Sequence, residues 1–537
     1  MRAWLFCICS LPAMGCFESP VAQPLNRVVI TTPVSVNQAA QNKVDLLFMV
    51  DNSGSMKLKQ QQLNAQFKNL IGRLDDFAAH GRPASYHIGV VTSDYGTGAN
   101  KPTMNKNPHG DGGNLVNVGA AAAMDCRQID TRMRVNGDPS GNFIVYDQTH
   151  PGADGKPSNN FPSGQDLAKT FTCMASVGDG GCGMEHQLES VYQALKPAAL
   201  AAGQNNAGFL RPEALLVVVF VTDEDDCSAP DDDDLFSNDM ATLPDGMKAF
   251  DALGTYQSFR CTEWGIKCNG KRVGRGKLLA TNGCEPLTRT EGGRLYDISR
   301  YTDFFFGGAS RGVKSDPKQV ILASIAAPPY PFETLFTTNN RARPYPQDPA
   351  ICDNVTQLSM DGKSCSVVLK PSCAPNDPNH SGDPAVRLNW VVSHQDPENL
   401  PKSKASICDN DYSATLNDIA DKIVNAIKPS CVPPFDNPDR PQCLVEDHIH
   451  DCVSPALNSR QDYSFCDNVN HQTPCWRTCQ VASTDGGCAV DQVLVKLCRQ
   501  GDPSDATCAA CDDTPPAALP GAGCKLETKV ECATLAQ

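Results

Sequence analysis

Asp51, Ser53 and Ser55 put three oxygen-bearing side chains on alternate residues of the segment Asp-Asn-Ser-Gly-Ser. A hard dication such as Mg²⁺ takes oxygen ligands in a near-octahedron at about 2.0–2.1 Å. One carboxylate and two neutral hydroxyls fill part of that shell and leave positive charge on the ion, so a free position favours an incoming carboxylate. Asp223, at the end of another strand, is the acidic candidate to complete the set, directly or through water. Without a metal, Asp51, Ser53 and Ser55 read as a polar turn with capping residues. Asp225, Asp226 and Asp231 to Asp234 lack the alternate oxygens, glycine and distal glutamate of an EF-hand, and read as a solvated acidic loop.

The surrounding pattern places these residues at the end of a sheet. Val44 to Val50 is a nearly continuous apolar run, expected for a strand buried on both faces of a parallel sheet. A helix follows the Asp51 loop, with Leu63, Phe67, Leu70, Ile71, Leu74 and Phe77 at helical spacing, and Tyr86 to Thr92 reads as the next strand. Glu185 to Leu195 is helical, and Leu215 to Val221 is a strand that runs straight into Asp223. Tyr296 to Phe306 reads as helix, Val320 to Ala326 and Val386 to Ser393 as strands, and Ala414 to Ile427 as an amphipathic helix. Trp390 then falls in the last strand, in the core. The fold expected is α/β: a doubly wound, mostly parallel sheet flanked by helices, with long insertions near 96–180 and 228–292. In such sheets ligands bind at the carboxyl ends of the strands.

Val44 to Met56 resembles the opening of a von Willebrand factor A (VWA) domain, whose metal-ion-dependent adhesion site carries an Asp-x-Ser-x-Ser loop. Asp223, after the 215–221 strand, matches the family's later Asp in position and context. The resemblance covers roughly 43–428 and implies a divalent cation, Mg²⁺ first and Mn²⁺ or Ca²⁺ as alternatives. The sequence departs from the family where a Thr ligand is expected: Gly181-Cys-Gly-Met-Glu185 has none, and Glu185 reads either as the oxygen ligand in its place or as a first-turn glutamate favoured by the helix dipole. A second charged ligand would weaken the pull of the metal on an acidic partner.

The chain carries 26 cysteines, and 12 of them lie between Cys431 and Cys532, so residues 429–537 read as a Cys-rich domain stapled by disulfides. After Cys16 the cysteines number 26 − 3 = 23, an odd count that leaves one thiol free or paired with another chain. Met1 to Cys16 reads as a short signal peptide, and Ala13-Met-Gly-Cys16 resembles a bacterial lipobox with Cys16 as the lipid acceptor; ordinary cleavage and secretion is the alternative. Residues 17–42, with Pro20, Pro24 and Pro33, read as a tether. The net charge of −15 repels phosphate backbones and argues against nucleic acid as a partner.

No nucleophile-elbow, phosphate-loop or His-Glu-x-x-His pattern appears, and no catalytic residues are assigned. Cys508-x-x-Cys511 reads as structural disulfide chemistry, and His448 and His450, with Asp447 and Asp451, as surface residues. The function expected is an exported, metal-dependent binding or adhesion protein of the bacterial cell envelope, membrane-held through a lipid anchor and engaging a protein or glycan. A structural envelope component with a bracing metal, or a hydrolase of unrecognised type, are the alternatives.

Overall fold

The computed structural model describes residues 30–36, 42–79, 84–98, 109–116, 134–135, 138–139, 142–152, 155–161, 165–338, 365–394 and 406–427, with single-residue breaks at 255, 277 and 378. Beyond these it describes 431–432, 443–450, 454–466, 473–479, 493–501, 511–512 and 525–534. Residues 37–429 with 484–486 form one compact unit, and the rest of the chain forms another.

The larger unit is a sheet between two helical layers. Its elements are β1 (Lys43–Val50), α1 (Lys57–Ala79), β2 (Ser85–Thr92), β3 (Ile144–Pro151), β4 (Pro157–Asn159), α2 (Leu167–Ala175), α3 (Gln187–Leu195), β5 (Leu215–Val221), α4 (Ser299–Phe306), β6 (Val320–Ile325), α5 (Val386–Val392) and α6 (Ser413–Ile427). The strand order is β6-β5-β1-β2-β3-β4. β6, β5, β1 and β2 run parallel, while β3 and β4 add antiparallel.

Strand alternation sends one set of side chains to each face. Val44, Leu46, Phe48 and Val50 of β1 pack with α1, α2 and α6, through residues including Phe67, Phe171 and Leu416. Leu47 and Met49 pack on the other face with Leu188 and Val191 of α3, Tyr301 and Phe305 of α4, and Leu388 and Val391 of α5. β5, and β1 from Leu46 onward, are therefore apolar throughout because both of their faces are core.

Three expectations are corrected. The first insertion does not simply leave the sheet: β3 returns to pair antiparallel with β2, Ile88 opposite Ile144. The Val386–Ser393 run is helix, not strand. Asp225 accepts the amides of Arg387 and Leu388 and starts α5, and Leu388, Val391 and Val392 then meet the core at helical spacing. Trp390 consequently points outward, 44% exposed, rather than into the core. Within the presumed tether, Ile30–Val36 is a strand paired antiparallel with Lys525–Thr534 at the edge of a four-stranded sheet. Its β-branched residues favour extended backbone, and Pro33 is tolerated because an edge strand leaves one side unpaired. Residues 17–29 lie outside the described residues.

The smaller unit is antiparallel β. Cys443–His450 joins Lys525–Thr534 and Ser459–Tyr463, and Val493–Cys498 lies between Cys431–Val432 and Cys475–Cys479. Cys466–Cys475 bridges this unit, and Cys498 is disulfide-bonded. The larger unit holds Cys227–Cys261, Cys268–Cys284 and Cys373–Cys408. Among the described residues Cys182 is a free thiol, buried, and burial pushes it up to about 11. No helix among the described residues is long and apolar enough to cross a membrane.

Candidate metal centre

Parallel register sets three loop residues at one level of the sheet. Val50 lies opposite both Thr92 and Val221, so Asp51, Ser93 and Thr222 are the first residues beyond three adjacent strands. The backbone continues the ladder one step, Asp51 N–H donating to Val221 O at 2.9 Å. The three side chains converge: Asp51 Oδ1 accepts from Ser53 N at 2.8 Å and from Ser93 Oγ at 3.0 Å, and Oδ2 accepts from Thr222 Oγ1 at 2.7 Å. Gln187, at the start of α3, donates to Thr222 Oγ1 at 3.0 Å and so supports the same carboxylate from behind.

Ser53 Oγ and Ser55 Oγ lie 3.2 Å apart, and Ser55 Oγ donates to Asp223 Oδ1 at 3.0 Å. Asp51, Ser53, Ser55 and Asp223, expected together from the strand-end positions and the VWA resemblance, thus form one connected cluster. The loop is held from below by Gln60 Nε2, which donates to Asp51 O at 2.8 Å, and at the side by Gly181 N–H donating to Asn52 O at 2.8 Å. A Cβ on Gly181 would fall 2.2 Å from Asn52 Oδ1, so glycine is required for that close approach. Asp51, Ser53 and Asp223 are buried, while Ser55 is half-buried and Gly54 and Gly180 are exposed, which leaves one side open to solvent.

The charge balance is acidic. Burial, then the charge of Asp223, pushes the Asp51 carboxyl up to about 6. Glu185, 1% exposed, is pushed well above the usual carboxylate range by burial, then by Glu224 and Asp51. The cation hydrogen-bonded to the cluster is Lys59, in the first turn of α1, whose Nζ lies 2.5 Å from Asp223 Oδ2. Sequence reading missed Lys59, Ser93, Thr222 and Gln187. Ser93 and Thr222 were accessible in principle, as the residues that follow two apolar strands; Lys59 and Gln187 carry no such signal.

Among the described residues no trio of His, Cys, Asp and Glu side chains closes on one point as a metal cluster. What closes here is two carboxylates with two serine hydroxyls, an all-oxygen set, which suits a hard dication rather than a soft one. Asp51, Ser53, Ser55 and Asp223 are the residues that could hold such an ion. A dication bound there would supply a Lewis-acidic point for an oxygen of a partner.

The other candidates fall away from this site. Asp226 accepts from Leu188 N at 3.0 Å and pairs with Arg387, and Asp233 pairs with Arg294. These aspartates are capping and pairing groups, not a solvated loop; Asp231 and Asp232 are exposed. His448 bonds Glu446, whereas Asp447 is held by Tyr463 and Arg499, so the two do not converge. Cys16, Asp451 and Cys508 lie outside the described residues.

No family model matches this chain, and no curated protein does. Solved structures that match include the pilus adhesin SpaC from Lactobacillus rhamnosus GG in an open conformation, at 9% identity over 91% of this chain and 39% of that one, TM-score 0.27. A second form of SpaC matches at 10% identity over 91% and 40%, TM-score 0.26. The pilus adhesin RrgA from Streptococcus pneumoniae matches at 9% identity over 94% and 57%, TM-score 0.24. This chain spans less than two thirds of each, and a likeness at these TM-scores carries no weight for fold or function.

Proposed function

We propose that the chain is an exported binding protein of VWA type that engages a protein or glycan through a divalent cation held at Asp51, Ser53 and Ser55. The observation that carries this reading is the meeting of those residues with Asp223 at the carboxyl edge of a parallel sheet, on one connected set of hydrogen bonds. Mg²⁺ fits the donor set best, with Mn²⁺ and Ca²⁺ as further oxygen-seeking ions. Glu185 takes the place of the family's Thr near the metal. The half-open side at Ser55 and Gly54 is where a ligand oxygen reaches the ion. Four described disulfides suit an oxidising compartment, and export with acylation at Cys16 is part of the proposal. A bracing metal is the second reading, favoured by the burial of Asp51 and Asp223.

The test is capture of immobilised extracellular proteins and polysaccharides by the purified chain, with and without chelator, beside Ser53→Ala. Binding that needs the dication and is lost in Ser53→Ala supports the reading. A dication that raises thermal stability but leaves capture unchanged supports the brace instead.

A further inference from the structure

Lys59 is fully buried, with its side chain 0% exposed against 1% for its partner Asp223. Its ammonium donates to Asp223 Oδ2 at 2.5 Å and to Ser381 O at 2.8 Å. An ammonium without water is costly unless paired, so something at this position offsets that cost. The neighbours are acidic: Asp51 and Asp223 are both buried in the same hydrogen-bonded cluster, and Glu185 is buried as well. Asp223 therefore divides its two oxygens, Oδ1 towards the Ser55 hydroxyl and Oδ2 towards Lys59.

We propose that Lys59 is a tethered counter-charge that competes with the divalent cation for Asp223 and so sets the metal affinity of the site. This rests on the metal reading above. In the metal-free chain the ammonium keeps Asp223 and the 381–383 segment in place, the latter also docked through Asp383 N–H donating to Asp223 O at 2.8 Å. With the dication bound, the same ammonium stands beside a second positive charge in a poorly screened setting, where like charges repel strongly. Lys59 therefore stabilises the empty site and weakens the filled one. A residue that only packs the helix against the loop would move both states in the same direction.

The experiment is calorimetric titration of Mg²⁺ and of Mn²⁺ into the metal-stripped full chain, with thermal melts of the stripped protein, for wild type, Lys59→Gln, Lys59→Met, Lys59→Arg and Asp51→Ala. Lys59→Gln keeps a donor without charge and carries the test if Lys59→Met does not fold. The result expected is metal binding about tenfold tighter or more in the neutral variants, a lower melting temperature for them when stripped, and affinity in Lys59→Arg close to wild type. Unchanged or weaker metal binding by a folded neutral variant overturns the proposal while leaving the metal site standing, provided wild type binds and Asp51→Ala does not. No binding by folded wild type overturns both.

Discussion

The two ends of β1 bury an aspartate each, and they balance it differently. At the amino end Asp45 accepts from Arg211 Nε and from Arg211 N, both at 2.7 Å, with Lys314 Nζ 3.9 Å away. Arg211 also donates to Ser85 Oγ, Ser85 O and Val44 O, so its guanidinium is engaged on every side. Burial raises the Asp45 carboxyl, and Arg211 and Lys314 pull it back. At the carboxyl end, burial raises Asp51 and the charge of Asp223 raises it further. One end is a closed structural knot supplied with its own cations. The other sets Asp51 and Asp223 against one ammonium, Lys59, and this shortage of positive charge, rather than the presence of an acid, is what supports the proposed metal reading. Both aspartates have comparable burial, so burial alone would not separate them.

Breaking the closed end has the largest expected effect. Arg211→Met leaves Asp45 buried without its main partner and is expected to cost about 3–5 kcal/mol in chemical denaturation, while the folded fraction still takes up metal. The same loss of metal uptake at both ends would erase the distinction between them.

A smaller effect sharpens the carboxyl end. The folded Asp51 carboxyl lies above its ordinary value of 3.8, at about 6. The folded chain therefore holds the proton more tightly, and this group's contribution is lost as pH rises through about 6. In metal-free protein, Asp51→Asn is expected to gain on wild type by about 2 kcal/mol as pH rises from about 4 to about 6. Melts across that range measure it, and a difference that does not move with pH would contradict the charge shortage.

His186 gives the smallest effect. Its ring lies between Tyr95 and Phe236, with both nitrogens buried and without hydrogen-bond partners, and burial lowers it to about 4. Its contribution is complete above the unfolded value near 6.5 and is lost as pH falls towards 4. His186→Phe is expected to spare about 1–2 kcal/mol of the loss between about pH 7 and about pH 5, read as the difference between the two melting curves.

The sequence made the apolar spine of the sheet legible. β1, β5 and β6 are apolar because both faces are core, and such runs need no tertiary information to be recognised. The Asp51 loop and Asp223 were legible for the same reason: they end those runs. α5 was not, because Val-Arg-Leu-Asn-Trp-Val-Val reads as a strand until the Asp225 carboxylate, 162 residues earlier, caps it as a helix. β3 was hidden in a Gly- and Asn-rich stretch and takes its register from β2. Lys59 and the Asp45–Arg211 pair depend on contacts 164 and 166 residues apart, which no local pattern carries.

The central claim is that the carboxyl end of the sheet holds a divalent cation through Asp51. Calorimetric titration of Mg²⁺ and Mn²⁺ into the metal-stripped full chain, beside Asp51→Ala, tests it most directly. Saturable uptake at one site in wild type, absent in a folded Asp51→Ala, is the result this account predicts. No uptake by folded wild type, or uptake unchanged in Asp51→Ala, would contradict it and reduce the loop to a polar turn.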